Sequence, residues 1–99
     1  MDVEWADRRL RERFEMSAEG TRAWGPQVAR RYILRVNFLL EADDWAAVLA
    51  HRALRAHPLH GPSAGAWSIV LHDRWRLVVT YDEQARRVRI EEVSNHYGD

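Results

Sequence analysis

The side chains able to do chemistry gather in the last third of the chain. Arg74 and Arg76 flank Trp75 just after a His72-Asp73 step, His57 and His60 lie upstream, and a His96-Tyr97 pair follows the last apolar run. An imidazole gains or gives a proton near neutral pH. A guanidinium offers a planar fork of donors that fits phosphate. A phenol beside an imidazole adds a second titratable group and a ring on which a base can stack. Together these types suit a surface that handles a phosphodiester. His57-Pro58-Leu59-His60 also has the spacing of a metal pair, but no cysteine or nearby carboxylate completes it, so no metal site is expected. Cysteine is absent altogether, which excludes thiol nucleophiles, thiolate metal sites and disulfides.

Such side chains need a sheet to hold them. Residues 66 to 71 alternate, with Trp67, Ile69 and Leu71 on one face and Ser68, Val70 and His72 on the other. Residues 75 to 81 put Trp75, Leu77, Val79 and Tyr81 on one face, leaving Arg74, Arg76, Val78 and Thr80 on the opposite one. So short a connection makes the two strands an antiparallel hairpin. After a turn at 82 to 86, residues 87 to 93 form the last strand.

The first half reads as helical. Residues 1 to 5 alternate as a short strand, and Asp7 caps a helix to about residue 16 that carries Leu10 and Phe14 on one face. Small residues from 17 to 25 predict a loop, and Pro26 starts a second helix to about residue 41. Its broad apolar face holds Val28, Ala29, Tyr32, Ile33, Val36, Leu39 and Leu40. Leu34 and Phe38 form a second apolar line, to be covered by the first helix or by a partner. Asp43 or Asp44 caps a short helix from 45 to about 52, and residues 56 to 65 read as a loop. Helices followed by an antiparallel meander indicate an α+β domain spanning residues 1 to 99.

Composition narrows the partners. All fifteen basic residues are arginine and the formal net charge is zero, which argues against purely electrostatic binding of nucleic acid. The charge is uneven, however. Between positions 22 and 90, eleven arginines face six acids: Glu41, Asp43, Asp44, Asp73, Asp82 and Glu83. No apolar run reaches membrane-spanning length, and residues 1 to 4 do not resemble a signal peptide, so a cytoplasmic protein without membrane partners is expected.

The string Trp67-Ser68-Ile69-x-Leu71-x-Asp73-x-Trp75-Arg76-Leu77 resembles the core pattern of the HigB branch of the RelE/ParE toxin superfamily. Members read Leu-x-Gly, a basic stretch, Trp-Ser-Ile-x-x-Asn-Asp-x-Trp-Arg, and a terminal Val-x-Asp-Tyr-His. Here Leu59-His60-Gly61 fills the first element and residues 92 to 98 fill the last, with the His-Tyr order transposed. Pro62-Ser63-Ala64 replaces the basic stretch. The match covers residues 59 to 98; the helical half agrees only in layout.

The resemblance implies a helical hairpin packed on a three- to four-stranded, mainly antiparallel sheet. It also implies the toxin of a type II toxin–antitoxin pair, a ribosome-dependent endoribonuclease that cuts messenger RNA in the A site without metal or cofactor. Its partner would be a helix-turn-helix antitoxin, through which alone it would touch operator DNA. By position, Arg76 would contact the scissile phosphate with Arg74 as a second contact; the alternative for Arg76 is an ordinary cross-strand pair with Glu91 or Glu92. His96 would be general base or acid, Tyr97 a stacking ring or second proton source, and His60 the counterpart of the family's basic residue. Arg31 and Arg35, with Arg30, would bind RNA backbone or an acidic antitoxin segment, or simply be solvated. Two alternatives stay open: a gyrase inhibitor of the ParE kind, and a degenerate relative that binds only the antitoxin.

Overall fold

The structure, a computed structural model, describes residues 1 to 95. It begins with strand β1 (Asp2–Trp5) and helix α1 (Arg8–Glu15). The Asp7 carboxylate caps α1 by accepting from Leu10 N at 2.9 Å, and Leu10 is the buried residue of that helix.

The predicted loop at 17 to 25 is instead a helix, α2 (Ser17–Trp24). The small residues serve packing, not turning. Gly20 is buried where α2 crosses its neighbours, and a Cβ there would meet Ala29 Cβ and the Arg13 carbonyl oxygen, each at 3.2 Å. The break between α1 and α2 is one extended residue, Met16. The turn-forming glycine is Gly25, whose φ of 86° ends α2 before Pro26.

Helix α3 (Pro26–Glu41) buries Val28, Ala29, Tyr32, Val36 and Leu39, the expected face. Tyr32 is fully buried and its hydroxyl donates to the Leu10 carbonyl oxygen at 2.6 Å, tying α1 to α3. The Trp24 ring meets the Tyr32 ring edge-on at 4.9 Å. The second apolar line is not covered by the first helix. Because α1 docks over Tyr32, Leu34 stays 52% exposed, while Phe38 is partly covered by the His51 ring at 4.6 Å. Helix α4 (Trp45–Ala50) is capped by Asp44, which accepts from Ala47 N at 2.9 Å, and a 3-10 turn follows at Arg52–Leu54.

The sheet is mixed, with one strand more than the upper expectation. Its order is β1-β5-β4-β3-β2, with β2 (His57–Pro58) and a 3-10 turn (Gly61–Ser63) lying inside the expected 56–65 loop. Strands β3 (Trp67–His72), β4 (Trp75–Asp82) and β5 (Arg87–Ser94) form the antiparallel meander, and β1 adds parallel to β5. Ile69, Leu71, Leu77, Val79, Val88 and Ile90 form the sheet side of the core under Tyr32, Val36 and Leu39. Among the described residues no helix is long and apolar enough to cross a membrane.

Burial holds the Tyr32 phenol well above its ordinary range, with a nearby Asp7 carboxylate adding to the shift and Trp5 and Arg13 opposing it. The raised value means that its contribution to stability is complete below the free-phenol pKa of about 10 and declines as pH rises beyond it. Replacing Tyr32 with Phe removes the α1 bond and lowers unfolding free energy by about 1 kcal/mol in urea titrations at neutral pH. The same variant loses part of the alkaline decline seen with the parent.

Candidate functional site

Helices occupy one face of the sheet, and alternation and register define the other. His57 pairs with Ser68, Ser68 with Val78, and Val78 with Glu92, giving one row across four strands. Val70, Arg76 and Ser94 form the next row. Directly paired residues share a face, so His57 and Arg76 lie on the same side. Their backbones are about 10 Å apart across the strands and about 7 Å along them. Ser68, in the first row, is 1% exposed, with its Oγ buried and without a hydrogen-bond partner among the described residues.

Arg76 is held by the hairpin it follows. Its Nη1 donates to the Asp73 carbonyl oxygen at 2.6 Å and to the Trp75 carbonyl oxygen at 3.0 Å. Asp73 adopts a positive φ of 51°, which turns its carbonyl toward the guanidinium. Neither expected glutamate takes Arg76. An extra residue in β5, Glu91, bulges opposite Val78 and Val79. Its Oε2 accepts from Thr80 Oγ1 at 2.8 Å and lies 3.4 Å from Arg89 Nε. The Nε and Nη2 donors of Arg76 have no partner among the described residues and remain for a ligand.

The other expected residues separate. Arg74 is exposed in the turn beside Arg76. His60 is exposed and precedes the 3-10 turn, off the strand; its neighbour at the motif's other end, His57, is the imidazole registered on the sheet face. His57 Nδ1 lies 3.2 Å from the Arg55 carbonyl oxygen. The sequence signal for His57 was its two-residue strand beside Pro58, too short to distinguish from loop. His96 and Tyr97 lie outside the described residues.

Arg31 and Arg35 are on the helix side, away from Arg76's face. Arg35 is a brace. Its Nε donates to the Val70 carbonyl oxygen at 3.1 Å and its Nη2 to the Ala53 carbonyl oxygen at 3.4 Å. Partial burial, and then the like charge of Arg31, lower its pKa from the ordinary guanidinium value. The carbonyl it takes lies where Leu71 bulges out of register between Val70 and His72. That bulge also corrects the expected alternation. His72 pairs with Trp75, a core-packed residue, and so turns toward α3 instead of sharing the Val70 face.

No family model and no curated protein matches the chain. Solved structures do. YafQ from E. coli strain BL21(DE3) aligns with a TM-score of 0.66 at 13% identity, over 96% of this chain and 92% of that one. A YoeB/ParE toxin from Agrobacterium tumefaciens gives 0.61 at 17% identity over 98% and 100% of the two chains. A YoeB–YefM complex from Staphylococcus aureus gives 0.56 at 17% identity over 98% of each. The chain has the fold of these proteins, as the resemblance implied.

The two arginine placements make different predictions. Arg35→Gln costs about 1–2 kcal/mol of stability because a charged bond to a strand-edge carbonyl is lost. Arg35→Lys does not restore it, since an ammonium lacks the guanidinium's separated donors. Arg74→Ala changes stability by less than about 0.5 kcal/mol. Urea denaturation of the three variants gives the comparison.

Proposed function

We propose that this chain is the toxin of a type II toxin–antitoxin pair and acts as a cytoplasmic, metal-independent endoribonuclease on messenger RNA in the ribosomal A site. One observation carries the reading. A guanidinium pinned by the hairpin turn and an imidazole share the sheet face that the helices leave open. The fold shared with a YoeB/ParE toxin over 98% of the chain supports it.

Internal cleavage of RNA needs a base for the 2′-hydroxyl, an acid for the leaving 5′-oxygen, and charge on the non-bridging phosphate oxygens. The 2′-oxygen bonds to phosphorus, the bond to the 5′-oxygen breaks, and the products are a 2′,3′-cyclic phosphate and a 5′-hydroxyl. Arg76 supplies fixed charge through Nε and Nη2, already oriented by the turn carbonyls. His57 and His96 are the proton carriers, Tyr97 is a second proton source or a stacking ring, and His60 and Arg74 are outer contacts. The YoeB–YefM complex supports an antitoxin as this chain's partner too. The helix-turn-helix antitoxin, and operator contact through it, rest on the resemblance to the HigB branch.

The test is cleavage mapping by primer extension after adding purified protein to a translating extract. The parent protein cuts ribosome-engaged message. Arg76→Ala lowers cleavage by about 10²-fold or more with circular dichroism unchanged. His57→Gln lowers it further than His60→Gln does. Intact message on occupied ribosomes would reject the reading, and stoichiometric inhibition of gyrase supercoiling would replace it with the ParE kind.

A further inference from the structure

Behind the sheet the bulge at Leu71 produces a second feature. It turns His72 toward the first two turns of α3, where His72, Gln27, Arg30 and Arg31 line a cleft of about 240 Å³. Arg30 and Arg31 have no ion-pair or hydrogen-bond partner among the described residues. They stand in the second turn of α3, whose first turn carries no acid and whose Gly25 cap offers no side-chain acceptor. The acid at the rim is Asp73, whose Oδ2 is 3.3 Å from His72 Nε2 and whose side chain is 81% exposed. The cleft therefore gathers two exposed guanidinium groups, unpaired among the described residues, beside an imidazole.

The lining fixes the chemistry of that ligand. Two planar guanidinium forks, a carboxamide and an imidazole surround the cleft. A phosphodiester offers two charged oxygens and further ester oxygens to donors arriving from several directions. A carboxylate, being planar, is satisfied by one fork and leaves the others unused. We propose that this cleft is a second phosphate site, separate from the Arg76 face, which holds a backbone phosphate of the RNA on which the protein acts. The proposal rests on the ribonuclease reading for the identity of the polymer. The two sites lie on opposite sides of the β3–β4 hairpin, so a strand passing around the hairpin tip meets both, with exposed Arg74 between them.

The probe is a short single-stranded RNA with every 2′-hydroxyl methylated, which binds but cannot be cut. Fluorescence anisotropy over a salt series compares the parent with the Arg30→Gln/Arg31→Gln double variant, both of whose altered side chains are exposed. The double variant should bind about tenfold more weakly and lose about one unit of the log–log salt slope. His72→Gln should weaken binding less, since an amide keeps a hydrogen-bond donor at that position. Thermal melting of all variants should match the parent. Unchanged affinity and salt slope in the double variant overturn the site. So does a polyglutamate peptide that competes for the same arginines more tightly than the RNA. Cleavage in the translating extract is read on the same preparations. A double variant that binds blocked RNA normally in a protein that still cuts message refutes the cleft alone. A protein that binds through the cleft but never cuts refutes the nuclease alone.

Discussion

The antiparallel register of β3 on β4 is the constraint on which everything functional depends. A strand's side chains alternate with a period of two, so a slip of one residue would drive Arg76 into the core and turn Leu77 outward. Burial forbids that slip. Ile69 opposite Leu77 and Trp67 opposite Val79 place three fully buried aliphatic side chains and a tryptophan on the helix side. Fully burying one such aliphatic side chain is worth about 1.5–3 kcal/mol. The short turn then adds a local lock, because Arg76 Nη1 binds the carbonyls of Asp73 and Trp75. The guanidinium on the open face is thus set by apolar burial on the opposite one.

The register is perfect nowhere near the tip, and that imperfection is useful. Leu71 and His72 both turn to the helix side once the bulge absorbs a residue, the first into the core and the second to the cleft. The β2 side of β3 is paired only at Trp67 and Ser68, and Arg35 reaches from α3 to take the edge carbonyl at Val70, next to the bulge. The same contact blunts the edge of β3 beyond the two residues that β2 covers. One arginine therefore holds the strand edge beside the bulge that redirects a neighbouring histidine.

How much of this was legible in the sequence follows from which forces act locally. The α3 face and the β3–β4 hairpin follow from periodicity, and the Asp7 and Asp44 caps from a single carboxylate before an apolar run. Helix α2 was not legible, since Gly20 reads as a turn residue until Ala29 and the Arg13 carbonyl press against it. Neither bulge has a local signature, because each is decided by pairing across strands. The Arg76 position was legible through the Trp-Arg motif, but its partners were not. Glutamates at 91 and 92 looked like natural mates until the bulge assigned Glu91 to Thr80 and Arg89. His57 was legible as a titratable group yet not as a face residue, since a two-residue strand carries no alternation to read.

Zero net charge does not conflict with contacts to a polyanion, because binding depends on where charges stand. The acids of α1 and α2 are largely consumed locally: Glu12 faces Arg8, Glu15 faces Arg11 and Glu19 faces Arg22 on exposed helix surface. Such pairs contribute little to stability, but they cancel one another's field within about a Debye length of 10 Å. Arg30, Arg31 and Arg74 have no such partners among the described residues, and Arg76 is tied only to uncharged carbonyl oxygens. These arginines stand around the β3–β4 hairpin on both sides of the sheet, with the exposed Asp73 among them. Zero net charge thus leaves local positive potential in place, without the general affinity for nucleic acid that an excess of arginine over the whole surface would bring.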